Sequence, residues 1–150
     1  MSITQNQAGI KTSYGAIWMS NAYTGATFTI TTSYTELKSL ATAFAIFTPS
    51  NDFSMSTDGR LAYTGINTRT FLASASIANS LGFNSQAIAI AKNGTNITGA
   101  QSYADSGTLI LNDIEVSLAT NDYLSIFIKK ITSSSTPSFY QINLTAEQVY

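Results

Sequence analysis

Tight-turn dipeptides beside short, alternating apolar runs are the feature that most constrains what this chain can fold into. Asp58-Gly59 precedes one such run, Asn93-Gly94 ends another, and Asn121-Asp122 separates two more. Asn-Gly and Asp-Gly are strong hairpin signals because both residues tolerate the positive φ of a tight turn. The pattern therefore predicts an all-β chain of successive antiparallel hairpins. The runs beside these turns occupy residues 60–65, 68–77, 86–92, 114–118 and 123–128.

Further runs bring the predicted number of strands to about ten. Residues 26–32 alternate strictly, which places Phe28 and Ile30 on the inward face of a strand. Short strands at this even spacing are typical of a β-sandwich, a jelly roll or a barrel. The remaining predicted strands occupy residues 13–19, 43–47, 53–57, 108–111 and 139–144.

The segment 34–43 is ambiguous between helix and strand. Ser33 followed by Glu36 resembles a helix capping box, but the apolar spacing is poor and the residues from Ala43 onward favour an extended chain. We expect a single helical turn followed by a strand.

No linker divides the sequence, so the chain is expected to form one domain. Residues 1–12 are polar and are predicted to form an extended N-terminal arm, which leaves residues 13–150 for the folded domain.

Charge is scarce, which bears on the partners of the chain. Only 10% of the residues are charged, against about 25% in a typical protein. The one basic pair, Lys129-Lys130, points to opposite faces of a strand and makes no basic patch. We therefore expect no nucleic-acid binding. No apolar run approaches the roughly 20 residues that a membrane span needs, so we expect no membrane insertion either.

The side chains that most enzymes use are missing from the sequence. It contains no His and no Cys, which removes the commonest general base, the thiolate nucleophile and nearly all zinc site types. Asp113 and Glu115 are close enough to share one face of a strand, but we interpret them as two solvated acids. We expect no enzyme activity, no catalytic or metal-binding residues and no cofactor.

Several segments occur in a defined order along the chain: Phe53 before Asp58-Gly59, Tyr63-Thr64-Gly65, residues 68–77, residues 91–95, residues 116–123 and residues 141–145. Taken together, they resemble the trimeric jelly roll of tumour necrosis factor-like domains and complement-type globular heads. The resemblance extends to small structural proteins of phages and large DNA viruses, and it covers roughly residues 53–145.

The resemblance implies an antiparallel jelly-roll sandwich that forms a homotrimer around a threefold axis. It also implies a structural protein on the virion surface: a capsid decoration, a spike or a fibre head. The N-terminal arm would then attach it to other virion proteins, such as the capsid or a fibre base. The alternative is a head domain that binds a host receptor or a surface carbohydrate.

Alternation along the strands suggests which residues would meet in such a trimer. In residues 139–144, Tyr140, Ile142 and Leu144 share one face and are expected in the core. The residues opposite them, together with a pair from residues 60–63, are the predicted trimer interface. The predicted interface residues are Leu61, Tyr63, Phe139, Gln141 and Asn143.

Aromatic and cationic residues near turns suggest contacts for a ligand. Exposed Trp and Tyr beside amides and hydroxyls suit sugars, and Trp18, Tyr23, Tyr34 and Tyr103 have such surroundings. Arg69 is weighed separately because charge is so rare. It is either a ligand or subunit contact, or a charge that protects a strand end from edge pairing. The predicted ligand contacts are Trp18, Tyr103 and Arg69.

Overall fold

A computed structural model describes residues 12–20, 26–39, 44–46, 50–57, 59–80, 86–104, 108–132 and 135–149. Within these ranges the chain forms two antiparallel sheets. The first contains β1 (Tyr14–Ser20), β2 (Ala26–Thr27), β4 (Phe44–Ile46), β7 (Arg69–Asn79), β10 (Thr108–Leu118) and β12 (Ser138–Gln148). The second contains β3 (Thr35–Glu36), β5 (Phe53–Thr57), β6 (Arg60–Tyr63), β8 (Gln86–Lys92), β9 (Thr95–Ala104) and β11 (Tyr123–Lys130).

The strand order is that of a sandwich whose sheets mix distant parts of the chain. The first sheet runs β10-β7-β12-β1-β4, with β2 pairing with β12. The second runs β5-β6-β11-β8-β9, with β3 pairing with β11. Almost every strand thus has neighbours far away in sequence, as in a jelly roll. The prediction of an all-β antiparallel sandwich is confirmed.

The core lies between the two sheets and follows the period of two along each strand. In β7, Phe71 and Ile77 point inward and are buried, while Leu72 between them points outward and is exposed. Strand β8 is buried on both faces, because its outward positions are alanines whose neighbours in β11 include the larger Phe127 and Lys129.

The expected helical turn followed by a strand is confirmed. Residues Leu37–Ser39 form one 3-10 turn, and β4 follows in the first sheet. Leu37 is buried in the core, which fixes the turn against β11.

All three predicted turns contain a described residue with the positive φ that the dipeptide signal implies. Gly59 adopts a φ of 77° before β6, and Asp58 lies outside the described residues. Asn93 and Gly94 adopt φ values of 52° and 80° between β8 and β9, and Asn121 adopts 71° between β10 and β11. The predicted N-terminal arm, by contrast, lies outside the described residues except for Thr12.

The predictions for residues 139 and 140 are wrong because β12 contains a β-bulge. The register of β12 against β7 shifts between Phe139 and Gln141, so that Tyr140 is an extra residue. The bulge reverses the alternation before it. Phe139 is therefore fully buried, and Tyr140, predicted to be core, is 38% exposed.

Leu61 and Tyr63 are also core residues and not interface residues. Both are fully buried inside the chain, and Tyr63 packs its ring against Phe53 and Phe71 with centroid distances of 5.3 and 5.1 Å. The aromatic partners of Tyr63 lie on β5 and β7, and these strands come together only in the folded chain. Packing against them turns Leu61 and Tyr63 inward. Leu61, Tyr63 and Phe139 thus have no surface to offer to a second subunit.

A second bulge joins what the sequence predicts as two strands. The runs 108–111 and 114–118 form the single strand β10, and the register shifts between Leu111 and Ile114. Asp113 sits in the bulge with a φ of 56°, and its N–H donates to Ser74 Oγ. Strand β9, for which no run was predicted, is also irregular: its register against β8 shifts between Asn96 and Gln101, where Gly99 adopts a φ of 82°.

Candidate interaction surface

The outer side of the first sheet presents a broad, nearly uncharged surface. Its members point away from the core at alternate positions of neighbouring strands and are at least partly exposed. We call this set the outward face: Ala16, Trp18, Ala45, Leu72, Ser74, Ser76, Ile110, Gln141, Asn143 and Thr145.

Trp18 lies on β1, next to the edge strand β4 of the outward face. Its register partners are Asn143 of β12 on one side and Ala45 of β4 on the other. Ile17 and Met19 are fully buried, so alternation along β1 forces Trp18 outward, where the residue is 41% exposed. A large aromatic side chain is thereby held on the surface of the sheet, between the shorter side chains of Asn143 and Ala45.

Two hollows flank Asn143 and Thr145 on this face. The larger has a volume of about 340 Å³ and is lined by Ala16, Ile17 and Trp18 together with Asn143 and Thr145. The smaller, of about 110 Å³, lies on the other side of β12 and is lined in part by serines and Asn112. The outward face is therefore indented, and the larger hollow is mainly apolar.

Hydrogen bonds keep the polar groups of the face in place. Asn143 Nδ2 donates to Ser76 Oγ at 3.0 Å, and Thr145 Oγ1 donates to the carbonyl of Ser74 at 3.4 Å. The side chains therefore span β12 and β7 and give the face a defined shape, as a preorganised contact surface requires.

Acidic residues lie in one row at the margin of the face. Glu147 of β12 pairs in register with both Tyr14 and Leu72, and Leu72 pairs in turn with Glu115. Both acids are exposed. No group of three or more acidic side chains that could hold a metal ion occurs among the described residues.

An ion pair on the second sheet closes a gap between two chain segments. Strands β6 and β3 both pair with the same side of β11, one after the other. Arg60 begins β6 and Glu36 ends β3, and Arg60 Nε and Nη2 donate to the two carboxylate oxygens of Glu36 at 2.6 and 2.7 Å. The Arg60 guanidinium also stacks 4.4 Å above the ring of Tyr123.

This pairing determines the ionisation of Glu36. Burial alone raises its pKa, but the hydrogen bonds and charge of Arg60, with smaller effects of Ser125 and Lys38, outweigh burial and lower the pKa below its ordinary value. Arg60 thus joins two parts of its own chain.

A second polar cluster fixes the turn between β10 and β11. Asp122 accepts hydrogen bonds from Lys92 Nζ, Asn93 Nδ2 and the N–H of Ala119 at 2.8, 2.7 and 2.8 Å. Burial raises the pKa of Asp122, but these three donors more than offset it and lower the pKa. The cluster ties the turn at 119–122 to the turn at 93–94.

The structure brings together some of the predicted site residues and separates others. Trp18, Gln141 and Asn143 share the outward face. Arg69 lies at one end of the first sheet, where its guanidinium donates to Gln148 Oε1. Tyr103 lies in β9 of the second sheet, and Tyr23 lies outside the described residues. Trp18 and Asn143, predicted for different roles, are thus direct neighbours.

Sequence reasoning missed the small residues of the outward face. Ser74 and Ser76 alternate with buried alanines in β7, and this alternation places them opposite the core. The alternation of β7 is visible in the sequence. An outward serine on a strand indicates an interface only when the residues beside it in the sheet are known. Ile110, at 53% exposure, was missed because no interface was predicted on β10.

None of the described residues belongs to a helix long and apolar enough to cross a membrane.

Comparison with known proteins identifies the fold through structure alone. No family model and no curated protein sequence matches the chain. Among solved structures, the PRD1 vertex protein P5 is similar with a TM-score of 0.64 and 9% identity, covering 91% of this chain and 97% of that one. Eiger TNF from S. frugiperda is similar with a TM-score of 0.59 and 9% identity, covering 92% and 94%.

Murine APRIL is also similar, with a TM-score of 0.51 and 8% identity, covering 89% of this chain and 98% of that one. At such low identity these similarities define the fold and not the function. They span nearly the whole length of each chain, and they agree with the sandwich topology and with the resemblance seen in the sequence. The chain has the tumour necrosis factor-like jelly-roll fold.

Proposed function

We propose that the chain is a structural protein of a virion, a homotrimeric head or capsid decoration exposed on the particle surface. Its subunits would associate through the outward face. The observation that carries the virion assignment is the similarity to the PRD1 vertex protein P5, which extends over 97% of that chain.

The outward face supports self-association. Proteins of this fold typically trimerise. Trp18 is 41% exposed beside a mainly apolar hollow of about 340 Å³, and none of the residues that line this hollow is charged. Tryptophan is enriched at the centres of protein interfaces, whereas charged residues are depleted there. A second copy of the chain would bury the indole without burying a charged side chain in the hollow.

Two of the predicted interface residues remain in this proposal. Gln141 is exposed and Asn143 half-buried on the outward face, on either side of the inward Ile142. Their amides can make hydrogen bonds to a neighbouring subunit at the margin of an apolar contact, where polar residues are typical. Leu61, Tyr63 and Phe139 are excluded from the proposal because they are buried within the chain.

Absolute mass in solution tests the trimer. Light scattering after size exclusion should give three times the 16.0 kDa mass of the chain, about 48 kDa. Trp18→Glu should reduce this to about 16 kDa, since a carboxylate cannot be buried in an apolar contact without a large cost. Gln101→Glu places the same new charge on an exposed position of the second sheet and should leave the mass unchanged.

Two results would contradict the trimer proposal. One is a wild-type mass of a single chain at micromolar concentration. The other is a trimer that survives Trp18→Glu, because the subunits would then associate through a surface other than the outward face.

A carbohydrate- or receptor-binding head is the second candidate function. The observation that favours it is the position of Trp18 beside Asn143 and Thr145 in one hollow, since sugars bind to an aromatic face next to amides and hydroxyls. A glycan array should then show binding that Trp18→Phe weakens. Absence of any bound glycan at high protein concentration would contradict it.

A further inference from the structure

The turn between β8 and β9 contains the only Asn-Gly pair in the sequence. Asn93 and Gly94 are exposed and are the two loop residues of this hairpin, since Lys92 and Thr95 pair directly with each other. Their φ values of 52° and 80° are typical of a type I′ turn. Such a pair is chemically reactive, because glycine has no side chain to shield the backbone nitrogen that follows the asparagine.

The reaction open to this pair is deamidation. The Gly94 nitrogen attacks Cγ of Asn93, a new N–Cγ bond closes a five-membered imide, and Nδ2 leaves as ammonia with the proton of the Gly94 N–H. Water then opens the imide at one of its two carbonyls, which leaves an aspartate or an isoaspartate at position 93. Water is the only co-reactant, so the chain and the solvent supply every atom of the reaction.

Three hydrogen bonds hold Asn93 against the turn between β10 and β11, and we call them the turn clamp. Asn93 Nδ2 donates to Asp122 Oδ1 at 2.7 Å, and Asn93 Oδ1 accepts from the N–H of Tyr123 at 3.0 Å. The N–H of Asn93 donates to the carbonyl of Tyr123 at 3.0 Å. Asp122 is itself fixed by Lys92 Nζ and by the N–H of Ala119, each at 2.8 Å. Both ends of the Asn93 carboxamide are thus bonded to a neighbouring segment.

Imide formation requires the turn clamp to open. Ring closure brings Cγ of Asn93 to bonding distance of the Gly94 nitrogen, which rotates the carboxamide away from Asp122 and Tyr123. It also changes the backbone torsion between Asn93 and Gly94, although the paired strands on either side hold this turn closed. The rate of deamidation in the folded chain therefore follows the population of a locally opened turn.

The product of the reaction would no longer fit the turn clamp. Burial raises the pKa of Asp122, but its hydrogen-bond donors outweigh burial and lower the pKa, so this side chain is a carboxylate at neutral pH. An aspartate at position 93 would place a second carboxylate where Nδ2 now donates at 2.7 Å, and the like charges would repel each other. An isoaspartate would lengthen the backbone of a turn whose type depends on two residues.

We infer that Asn93 is a deamidation site, that the turn clamp protects it in the folded chain, and that its reaction irreversibly separates the turn at 93–94 from the turn at 119–122. The inference goes beyond the proposed assembly and does not depend on it, because every group that it uses belongs to one chain.

Deamidation rates of purified variants test the role of the turn clamp. The folded chains are incubated at mildly alkaline pH, and mass spectrometry of the peptide that contains Asn93 gives the fraction deamidated. Asp122→Ala removes the acceptor of Nδ2 and should raise the rate about tenfold, since a hydrogen bond to a charged group changes an equilibrium by about this factor. Glu115→Ala removes an exposed carboxylate of β10 outside the clamp and should leave the rate unchanged.

Gly15→Ala separates local opening from global unfolding. The added methyl group collides with Phe53 and destabilises the domain without touching the turn clamp, so the rate should stay near that of the wild type. Equal acceleration by Gly15→Ala and Asp122→Ala would overturn the inference, because deamidation would then require global unfolding. An unchanged or slower rate in Asp122→Ala would overturn it as well, because the carboxylate would then not protect Asn93.

The wild-type chain decides the question even if Asp122→Ala does not fold. Deamidation of Asn93 should be at least about tenfold slower in the folded chain than in the same chain unfolded in guanidinium chloride. Equal rates in the two states would show that the folded turn gives no protection.

A variant that carries the product tests the second half of the inference. Asn93→Asp reproduces the aspartate product and should speed amide exchange at residues 119–122 about tenfold. Asn112→Asp adds the same charge at an exposed position of β10 and should leave this exchange unchanged. Slow exchange in Asn93→Asp would contradict the separation of the two turns.

Discussion

Replacing Gly15 by alanine should destabilise the domain, because the ring of Phe53 lies directly against the glycine. A Cβ at position 15 would come within 2.9 Å or less of Cβ, Cγ and Cδ2 of Phe53. These atoms sit close to the backbone of β5 and cannot swing away. The ring itself is held by Tyr63 and Phe71, at centroid distances of 5.3 and 5.1 Å.

The expected loss combines a steric cost with a small entropic gain. Overpacking a well-packed core costs about 1–3 kcal/mol, and the fixed position of Phe53 puts this site at the upper end. Replacing glycine by alanine reduces the entropy of the unfolded chain and returns about 0.4–1 kcal/mol, since Gly15 has no positive φ that alanine would strain. The net loss for Gly15→Ala is about 2 kcal/mol.

A double-mutant cycle shows whether the ring is the cause. Phe53→Ala alone should cost about 3–5 kcal/mol because it leaves a cavity. In that background the new methyl group at position 15 fills part of the vacated space, so Gly15→Ala should become neutral or stabilising. The coupling between the two sites should then be about 2 kcal/mol or more.

Urea unfolding at one fixed protein concentration measures these differences, since a trimer makes stability depend on concentration. Gly99→Ala serves as the control. Gly99 has a φ of 82° and no atom within 4 Å of its missing Cβ, so its replacement meets backbone strain of about 1 kcal/mol and no collision. Equal costs of Gly15→Ala with and without Phe53 would refute the packing argument.

Three further substitutions test the polar contacts. Glu36→Gln should lower the free energy of unfolding by about 2 kcal/mol at pH 7. Because the pKa of Glu36 is lowered in the folded chain, its stabilisation is complete above about pH 4.5 and disappears on further acidification, so titrated urea curves of wild type and variant should converge in acid. Curves that stay parallel would contradict this. Asp122→Asn should speed amide exchange in the turn at 119–122 by weakening the contact with Lys92, and unchanged exchange would show that the turn is held elsewhere. Tyr63→Phe removes the bond to the carbonyl of Asn67 and should cost about 1 kcal/mol in urea unfolding, with faster exchange in the loop at 64–68; a neutral effect would show that this bond does not brace the loop.

The turns were predictable from the sequence because their cause is local. Asn93 and Gly94 adopt positive φ for reasons contained in the two residues themselves, and Asn121 does so as well. Alternation within β7 and β8 is equally local. These signals sufficed for the fold class and for most strands.

Bulges were not predictable, and they caused the main errors. One extra residue at Tyr140 places Phe139 in the core, although the alternation of residues 140–144 puts it outside. Whether a strand contains such a residue depends on its partner, here Asn79 at the end of β7. The sequence of one strand alone does not show this pairing.

The inward side of β6 depended in the same way on distant residues. Leu61 and Tyr63 alternate with Ala62, but the structure buries all three. Because Ala62 is buried as well, alternation alone does not show which face of β6 points to the core. The contacts of Tyr63 with Phe53 and Phe71 decide it, and they join three strands from both sheets.

The outward face could have been deduced from β1 and the second half of β12 together. Ile17 and Met19 are large and apolar and point inward, so the alternation of side chains along β1 turns Trp18 outward. Ile142 and Leu144 likewise turn Asn143 outward, and no bulge separates these residues. The sequence does not show that Trp18 and Asn143 are adjacent, because these residues lie 125 positions apart and their strands meet only through the jelly-roll topology. Alternation thus identifies the exposed residues of each strand. The topology then brings these residues together into one surface, and this surface is the reason to propose association.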